Sequence, residues 1–467
     1  MTSDRETFEA IETGLDLFSL TVDDVPTWER VRFNAFREIS RQRGRGQAHT
    51  RIDSDLSDHL CGIGLWLRNA IYRNPYVAGK HEVLFFGHNR RKLESDGYWW
   101  DIYCDSIHEQ GDLDYVHFES PRLLTHKTPA KTENLRYLEL LDFTGTLQRK
   151  LGLRKPDIPE DVVDRLKEAE ATIKKELGAD VDLVSKVREK LHVRKTTLPL
   201  YERLLERTDP ELVVVVVAYG RETLIEACKR KGIPVVELQH GVIYDYHYGY
   251  SYPEGETKYA FPDYLLTFGE FWNENVRFPL PDERVIPVGY PYLEERLNTY
   301  ADVKRSEQLL FISQGTIGAE LSRFALAVHD DDRVDHEVVY KLHPGEYDRW
   351  EGEYPWLAKS DVRVIDEPEP PLYRLFAEST AQVGVGSTAV YEGLCFGLET
   401  FVFDTDGADV LQPLVEDEVA SAINDADDLT AAFESNDRGS FDRERFFKSD
   451  SVANIIRALQ SIQQESV

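Results

Sequence analysis

The chain has 467 residues and a mass of 53.8 kDa, which exceeds one ordinary hydrophobic core and predicts two domains of α/β size. Its 85 acidic and 55 basic side chains give a formal net charge of −30, and a field of that sign repels nucleic-acid phosphates. We therefore exclude a general nucleic-acid-binding protein. The acidic excess is spread along the chain, which favours a halophilic protein, because strong salt screening lets like charges crowd one surface.

The four cysteines predict reduced, buried thiols. Cys61, Cys104, Cys228 and Cys395 lie in apolar contexts without CxxC spacing, which is not typical of zinc ligands or of a disulfide framework. The first residues lack the apolar stretch of a secretion signal, and no apolar run approaches the ~18 residues of a membrane span. We therefore expect a cytoplasmic protein.

Residues 28–45 form a basic segment in this acidic chain, and an apolar run at residues 60–67 follows it. Two interpretations stay open. The segment makes a peripheral contact with the inner face of an anionic membrane or holds a lipid-pyrophosphate acceptor, or it is a core helix whose arginines pair with carboxylates. The arginines concerned are Arg30, Arg32, Arg37, Arg41, Arg43 and Arg45.

A buried strand is predicted at residues 83–87, and residues 99–104 and 115–118 predict two more. The connection between the first two holds several carboxylates. We take Asp96 and Asp101 as candidate catalytic residues, because either side chain could face a substrate.

The segment from about residue 130 to 207 is charged and has helical periodicity, which predicts a helical insertion. Strict α/β alternation then returns, with strands predicted at residues 213–217, 234–238, 265–268 and 285–288. Strand–helix alternation with short turns implies right-handed crossovers and a parallel, doubly wound sheet.

Gln239-His240-Gly241 follows one of these strands at its carboxyl end, where open α/β sheets bind their ligands. Gly241 permits a sharp turn that would expose the imidazole of His240, and a neutral histidine is suited to general-base catalysis near pH 7. The alternative is an imidazole whose nitrogens are satisfied by backbone carbonyls.

The second domain is predicted to repeat this pattern, with strands at residues 309–313, 338–342, 362–365 and 383–385. Polar residues follow the carboxyl ends of these strands, which indicates a ligand site. The candidate nucleotide-binding residues are Ser313, Gln314, Gly315, Lys341, His343, Pro344, Glu367, Gly386, Ser387, Thr388 and Glu392.

His343 and Ser387 indicate a phosphate site that needs no metal. Pro344 ends a strand and holds His343 at the rim, while Ser387 and Thr388 would cap a helix whose N-terminus favours an anion. His343-Pro344 alone could be an ordinary turn, and Ser387 alone could be an ordinary helix cap. The occurrence of both at strand ends of one predicted sheet favours the phosphate site. The acidic run at residues 330–332 falls in a polar loop on the opposite side of the sheet, so we predict no metal or other cofactor.

These motifs carry a resemblance. Lys341-Leu-His-Pro344, followed by Gly386-Ser-Thr388, resembles the HP and Ser/Thr motifs of bacterial sialyltransferases, polysialyltransferases and Kdo transferases. Gln239-His240-Gly241 is similar to the His-Gly step of teichoic-acid CDP-glycerol glycerophosphotransferases, and Ser95-Asp96-Gly97 resembles the acidic-Gly motif of polysialyltransferases. The resemblance covers roughly residues 210–410.

The resemblance implies the GT-B fold, in which two Rossmann-like domains with parallel sheets face each other across a cleft. The expected boundaries are an N-terminal acceptor domain at residues 1–300, a nucleotide-sugar-binding domain at residues 301–440, and a closing helix at residues 441–467 that packs back towards the N-terminal domain. In the related glycerophosphotransferases the histidine of the His-Gly step is linked to deprotonating the acceptor hydroxyl, which would be the role of His240.

The implied activity is that of an inverting, metal-independent glycosyltransferase in surface-polysaccharide biosynthesis. It would move a sugar, preferably from a CMP-sialic-acid-like donor, to a glycan or lipid-linked acceptor. Three alternatives stay open: a CDP-glycerol-type phosphotransferase, a nucleotide-sugar epimerase and a noncatalytic partner in glycan assembly.

Overall fold

The computed structural model describes residues 4–43, 56–274, 276–405, 407–435 and 441–465, the side chains of residues 56–59 excepted. Arg45, the last arginine of the predicted basic segment, lies outside these ranges. The chain divides into two compact units. The N-terminal unit includes the described residues up to Pro291 and those from Lys448 onward, and the C-terminal unit includes residues 292–447.

The N-terminal unit contains a seven-stranded sheet and two short antiparallel hairpins. Its strands are β1 (Thr21–Val22), β2 (Val25–Pro26), β3 (Val83–Phe86), β4 (Arg91–Leu93), β5 (Trp99–Asp101), β6 (Tyr115–Glu119), β7 (Leu135–Tyr137), β8 (Leu212–Val216), β9 (Val235–Leu238), β10 (Tyr264–Thr267) and β11 (Val285–Pro287). The large sheet has the order β7-β6-β3-β8-β9-β10-β11 and is parallel throughout. β3 and β8 are buried along their whole length, as expected for central strands covered on both faces.

Nine α-helices of this unit precede residue 291. They are α1 (Asp4–Gly14), α2 (Trp28–Gln42), α3 (Leu56–Asn69), α4 (Asp105–Gln110), α5 (Glu139–Lys150), α6 (Glu160–Leu177), α7 (Leu183–Thr208), α8 (Glu222–Arg230) and α9 (Phe271–Glu274), among the residues that the structure describes. Three 3-10 helices accompany them, Leu17–Ser19, Pro75–Val77 and Asp282–Arg284.

Helices α1, α2, α6 and α7 share a hydrophobic core of their own. On α6, Val162, Leu166, Ala169 and Ile173 recur at helical spacing and are all buried, and Gly178 ends the helix in the left-handed region at φ 66°. The predicted insertion is therefore helical, but it also contains β7. That strand has three residues at the edge of the sheet, too short for a periodic signal.

Residues 28–42 of the basic segment form helix α2, and two of its arginines are buried in ion pairs. Arg32 Nε lies 2.5 Å from Glu12 Oε1, and Arg30 Nη2 lies 2.8 Å from Glu226 Oε2. A buried guanidinium cannot contact lipid, so the core-helix interpretation is correct for these two, and the predicted membrane contact through them is wrong. Arg37, Arg41 and Arg43 are exposed, which leaves that prediction untested for them.

The C-terminal unit contains a six-stranded parallel sheet of the order β14-β13-β12-β15-β16-β17. Its strands are β12 (Gln308–Ile312), β13 (Glu337–Lys341), β14 (Arg363–Ile365), β15 (Ala381–Gly384), β16 (Glu399–Phe403) and β17 (Ser421–Ile423). The helices from residue 291 to residue 447 are α10 (Pro291–Thr299), α11 (Gly318–His329), α12 (Trp350–Glu353), α13 (Leu372–Glu378), α14 (Thr388–Cys395), α15 (Gln412–Glu416), α16 (Ala426–Ser435), α17 (Arg443–Phe446) and the 3-10 helix Ala408–Val410. The last helix of the described chain, α18 (Ser451–Glu465), follows them.

In each sheet the strand that comes first in the chain, β3 or β12, lies in the interior of the sheet. The chain adds the next strands on one side of it and the later strands on the other side. Each unit is thus a doubly wound, Rossmann-like α/β fold, and the predicted fold class is confirmed. β16 and β17 were not predicted, although the run Glu399-Thr-Phe-Val-Phe403 has strand composition.

Helix α18 belongs to the N-terminal unit, where Asn454 Nδ2 donates a hydrogen bond of 3.1 Å to the carbonyl of Val288. In the described part of the chain, no helix combines the length and apolar character that crossing a membrane requires.

Candidate active-site regions

In the C-terminal unit, the chain reverses its winding between β12 and β15, and three predicted loops follow adjacent strands there. Gln314-Gly315 follows β12, His343-Pro344 follows β13 on one side, and Gly386-Ser387 follows β15 on the other. Adjacent strands are ~4.8 Å apart, so the two outer loops start about 10 Å from each other. This is the position at which open α/β sheets bind ligands.

Glu346 fixes the His343 turn. Its carboxylate is fully buried, and it accepts hydrogen bonds from the His343 amide (2.8 Å), the Tyr354 hydroxyl (2.7 Å) and the Ser313 hydroxyl (3.0 Å). His343 itself is exposed, and its Nδ1 accepts a hydrogen bond of 3.1 Å from the Gly345 amide. In the neutral ring Nε2 therefore carries the proton, which is the form that donates to a phosphate oxygen.

Ser313 was predicted to bind the nucleotide at the rim, but its side chain does not reach it. Its side chain is buried and donates to Glu346, and its oxygen accepts a hydrogen bond of 3.1 Å from the Tyr340 hydroxyl. Ser313 thus supports the turn from beneath. Gln314 is half-buried and Gly315 is exposed, so the next two residues of the predicted loop are the accessible ones.

Ser387 is the N-cap of α14. Its backbone is extended at φ −114° and ψ 143°, and its Oγ accepts a hydrogen bond of 3.2 Å from the Ala389 amide. A Cβ on Gly386 would lie 2.7 Å from the Gly407 carbonyl, so glycine is required where this loop packs closely. Thr388 begins the helix, which places both hydroxyls at the positive end of its dipole.

The other predicted nucleotide contacts surround this rim. Lys341 is buried at the end of β13 and donates from Nζ to the Glu367 carbonyl, while burial lowers the pKa of its ammonium to about 8. The Glu367 side chain is exposed, as is Pro344. The Glu392 carboxylate accepts a hydrogen bond of 2.6 Å from the Tyr373 hydroxyl and is half-buried.

In the N-terminal unit, the winding reverses between β3 and β8, and His88, Arg221 and His240 follow neighbouring strands there. Arg221 Nη2 donates a hydrogen bond of 2.6 Å to the Gly87 carbonyl, which ties the loop after β3 to the loop after β8. The rings of His88 and His240 are stacked with centroids 6.3 Å apart. Burial lowers the pKa of His88 to about 4 and the pKa of His240 well below its usual range, so both imidazoles are neutral near pH 7.

His240 is held between two tyrosine hydroxyls. Its Nε2 lies 3.1 Å from the Tyr219 hydroxyl, and its Nδ1 lies 3.2 Å from the Tyr250 hydroxyl. Tyr250 donates its proton to Glu237 Oε1 at 2.5 Å. The two ring nitrogens thus contact hydroxyl groups, so the alternative of a ring satisfied by backbone carbonyls is not what the structure has.

This chain of contacts selects one tautomer of His240. Because the single proton of Tyr250 goes to Glu237, its oxygen accepts from Nδ1–H, and Nε2 retains the lone pair that can accept a proton. Glu237 is fully buried on β9, and burial raises the pKa of its carboxyl to about 7. A carboxylate behind the imidazole stabilises the imidazolium that forms when a proton is taken up.

The two predicted catalytic carboxylates have other roles. Asp96 is exposed in the β4–β5 turn, where it accepts hydrogen bonds from the Tyr98 amide and the Trp100 indole. The hydrogen bond from the Tyr98 amide is the main cause that lowers the pKa of this carboxyl. Asp101 is buried, accepts the amides of Tyr103 and Cys104, and has a pKa raised to about 7 by burial. The Asp96 carboxylate is thus held within its own turn, and the buried Asp101 carboxylate, which accepts two backbone amides, does not face a substrate.

Sequence reasoning missed Glu237, Tyr250, His88 and Glu346. A signal existed for Glu237, because it is a charged residue inside the apolar strand Val235–Leu238. Tyr250 belongs to a tyrosine-rich loop at residues 244–252, but its contact with Glu237 depends on how that loop folds.

No known protein-family model matches this chain, and neither does any curated protein. The solved structures similar to it include the UDP-GlcNAc 2-epimerase from Methanocaldococcus jannaschii, with 12% identity, a TM-score of 0.44 and coverage of 81% of this chain and 99% of that chain. MurG from Acinetobacter baumannii has 10% identity and a TM-score of 0.44 over 82% and 99% of the two chains. The wall teichoic acid polymerase TagF has 12% identity and a TM-score of 0.44 over 88% and 99%. Likenesses this low do not bear on function, which rests on the geometry of the two sites.

Proposed function

We propose that this protein is an inverting, metal-independent glycosyltransferase that transfers a sugar from a nucleotide-activated donor, preferably CMP-sialic-acid-like, to a glycan or lipid-linked acceptor. The observation that carries the proposal is the Glu237–Tyr250–His240 chain, which holds a neutral imidazole with its lone pair on Nε2. A protein that only binds a nucleotide has no use for such a base. The donor site is assigned to the rim at His343 and Ser387.

The donor's leaving group is a nucleoside phosphate, whose negative charge grows as the bond to the sugar breaks. The Nε2–H of His343 and the N-terminus of α14, with the hydroxyls of Ser387 and Thr388, place donors and a positive dipole at one rim. These groups stabilise the developing charge electrostatically and need no metal. The acidic run predicted to be a solvated loop follows α11, and its Asp331 pairs with Arg333 at 2.6 Å.

The acceptor hydroxyl loses one proton as its oxygen forms the bond to the anomeric carbon. His240 Nε2 takes that proton, the nucleoside phosphate leaves with the electron pair of the broken bond, and inversion follows from a single displacement. Tyr219, 3.1 Å from Nε2, either orients the acceptor hydroxyl or passes its proton on. Glu237 stabilises the resulting imidazolium through Tyr250.

A lipid-linked acceptor requires a membrane contact, for which we propose the exposed face of α3. Leu60, Ile63 and Leu67 are 63%, 55% and 56% exposed at helical spacing. The neighbouring helix α5 is joined to α3 by a hydrogen bond of 3.0 Å from Trp66 to Thr144, and exposed leucines lie at its C-terminal end. Exposed cations lie on these two helices, at Arg68 and Lys150, and just after α5, at Arg154 and Lys155, and they favour an anionic lipid surface as the occupant.

The test compares His343→Ala with His240→Ala in a nucleotide titration and a turnover assay with CMP-, CDP- and UDP-activated donors. His343→Ala loses one charge-assisted hydrogen bond of ~1.5–3 kcal/mol, so nucleotide affinity and turnover should both fall by roughly tenfold to over a hundredfold. His240→Ala should lower turnover by ~10²–10⁴ and leave nucleotide affinity within about threefold of wild type. The matched control is His329→Ala, an exposed histidine at the end of α11.

Loss of nucleotide affinity in His240→Ala equal to that in His343→Ala would contradict the division between donor binding and acceptor activation. Unchanged turnover in both variants would show that neither histidine takes part in the transfer, whereas nucleotide binding without turnover in wild type would favour the noncatalytic alternative. Conversion of a free nucleotide sugar without an acceptor would identify an epimerase. Turnover with CDP-glycerol as donor, but with no nucleotide sugar, would identify a phosphotransferase.

A further inference from the structure

A second cluster of chemically reactive side chains lies beneath the carboxyl end of β3, between α4 and β6. Cys104 and His117 are fully buried, and His108 is half-buried. Each residue offers one ligand atom, and these three atoms lie within 4.8 Å of one another. Cys104 is the N-cap of α4 and His108 is four residues later, so both side chains lie on the same face of the first turn.

The spacing of the two imidazoles suits a bound metal ion. His108 Nε2 lies 3.1 Å from His117 Nδ1, and the ring planes are nearly perpendicular at 86°. Two nitrogens bound to a tetrahedral Zn²⁺ at ~2.0–2.1 Å are about 3.3 Å apart. The observed separation is therefore close to one edge of such a site, and the Cys104 sulfur is in reach of a further position.

Unpartnered buried atoms give an independent indication. His117 Nε2 and Asp101 Oδ2 have no hydrogen-bond partner, although both residues are at most 1% exposed. The two atoms lie 3.6 Å apart and face each other. A histidine that binds a metal through one nitrogen commonly directs its other N–H to a carboxylate, which is the orientation that His117 has towards Asp101.

Asp101 also positions the thiol. Its Oδ1 accepts hydrogen bonds from the amides of Tyr103 (2.9 Å) and Cys104 (3.1 Å), so one carboxylate holds the backbone of Cys104 and faces the ring of His117. A Cβ on Gly87 would lie 2.3 Å from His117 Nε2 and 2.7 Å from Asp101 Oδ2, so the backbone after β3 covers the pair. The cluster is thus closed from the side of the His88 loop.

We propose that Cys104, His108 and His117 bind one Zn²⁺, with Asp101 as the carboxylate that orients His117. The ligand set is one thiolate and two neutral imidazoles, which zinc prefers, and the fourth position is left to water. On binding, the Cys104 thiol releases its proton to solvent, and the charges of the ion, the thiolate and the Asp101 carboxylate then sum to zero in the buried site. This reverses the expectation that Cys104 is not a zinc ligand.

The role of the ion is structural and separate from the transfer reaction. It joins α4 to β6 beneath Gly87, whose carbonyl accepts the hydrogen bond from Arg221. The residue after Gly87 is His88, which stacks on His240. The ion thereby stabilises the loop that supports the proposed general base, and its binding energy adds to the folding energy of the N-terminal unit.

The test measures metal content and Co²⁺ spectra of the full-length chain. Wild type expressed with zinc should contain about one equivalent. Protein stripped with a chelator and reloaded with Co²⁺ should show a thiolate-to-cobalt charge-transfer band. Cys104→Ser should lose the band and hold less than a tenth of an equivalent. Cys228→Ser, which alters a buried thiol on α8, is the matched control and should keep both.

Asp101→Asn should still bind the ion, with affinity lower by about 10–100-fold, because it removes an orienting partner and not a ligand. Chelation should lower the Tm of wild type and Cys228→Ser but not that of Cys104→Ser. A folded wild type that binds neither Zn²⁺ nor Co²⁺ above trace would overturn the proposal, and so would a Co²⁺ spectrum without the charge-transfer band. Neither outcome affects nucleotide binding at His343, so this site and the proposed function fail separately.

Discussion

His240 owes its proposed role to its surroundings more than to its own chemistry. An imidazole in water titrates near neutrality, but burial keeps this one neutral, and its tautomer follows from where the Tyr250 proton goes. The tautomer depends on Glu237, which accepts that proton. At the scale of single residues, the site is therefore a hydrogen-bonded chain whose last member is a buried carboxyl.

Glu237 should link stability to pH in a defined direction. Its pKa is raised from 4.5 to about 7 in the folded state, mainly by burial. Between those values the folded protein retains a proton that the unfolded chain has lost, so this group's contribution to stability is present below pH 4.5 and is lost as pH rises through 7. Glu237→Gln cannot titrate. The free energy of unfolding of wild type relative to Glu237→Gln should fall by about 3 kcal/mol between pH 4.5 and 8.

Urea denaturation of both proteins at several pH values and constant salt measures this difference. Subtracting the variant removes the contributions of the buried histidines, whose lowered pKa values act in the opposite direction. Parallel stability curves for the two proteins would show that Glu237 is ionised throughout and does not titrate with folding.

At the scale of elements, α3 is unusual because its exposed face is apolar. Ile71, just beyond the helix, is 89% exposed and continues the stripe of Leu60, Ile63 and Leu67. Helix α2 lies in the segment for which the sequence predicted a membrane contact, but two arginines near its N-terminus, Arg30 and Arg32, form buried ion pairs. Both helices are amphipathic, so their composition does not distinguish them. The elements that pack against each helix determine which of its faces is covered.

The double variant Ile63→Glu/Leu67→Glu should lose binding to vesicles that contain anionic lipid. Each substitution places a carboxylate where an exposed apolar side chain would enter the interface, so binding should fall by at least tenfold. Cosedimentation with vesicles of neutral and anionic lipid measures it. The matched control is Leu123→Glu, an exposed leucine outside α3 and α5. Equal binding by the double variant and wild type would exclude α3 as the contact.

For the molecule as a whole, the net charge is expected to govern how stability depends on salt. A formal charge of −30 creates self-repulsion that screening relieves, whereas the buried pairs, such as Arg32–Glu12, are screened much less. The many exposed ion pairs offset little of the repulsion, since each stabilises by about 1 kcal/mol or less.

The Tm should therefore rise as KCl increases from dilute buffer to molar concentration at pH 7. Calorimetry or circular dichroism at several salt concentrations measures it. The control is the same series near the pI of about 4.9, where the net charge and hence the salt dependence should nearly vanish. A Tm that does not change with KCl at pH 7 would contradict the halophilic interpretation.

Local sequence patterns predict the two parallel sheets and the loops at the carboxyl ends of their strands. Runs such as Leu212–Val216 are apolar at every position, a pattern typical of a strand that is buried on both faces of a sheet. Once such a strand is recognised, the residues that follow it must lie at the rim of the sheet. His240, His343 and Ser387 were placed correctly for this local reason. Short strands such as β7 and β17 have no periodicity, and only pairing with a neighbour makes them strands.

The contacts of each polar side chain, by contrast, depend on the tertiary structure. Glu237 and Tyr250 are 13 residues apart, and Ser313 and Glu346 are 33 apart. No local pattern couples such positions, because the contact exists only after the sheet and its loops have packed. Burial has the same origin: it depends on all surrounding elements at once, and it separates buried Asp101, with its raised pKa, from exposed Asp96, with its lowered pKa.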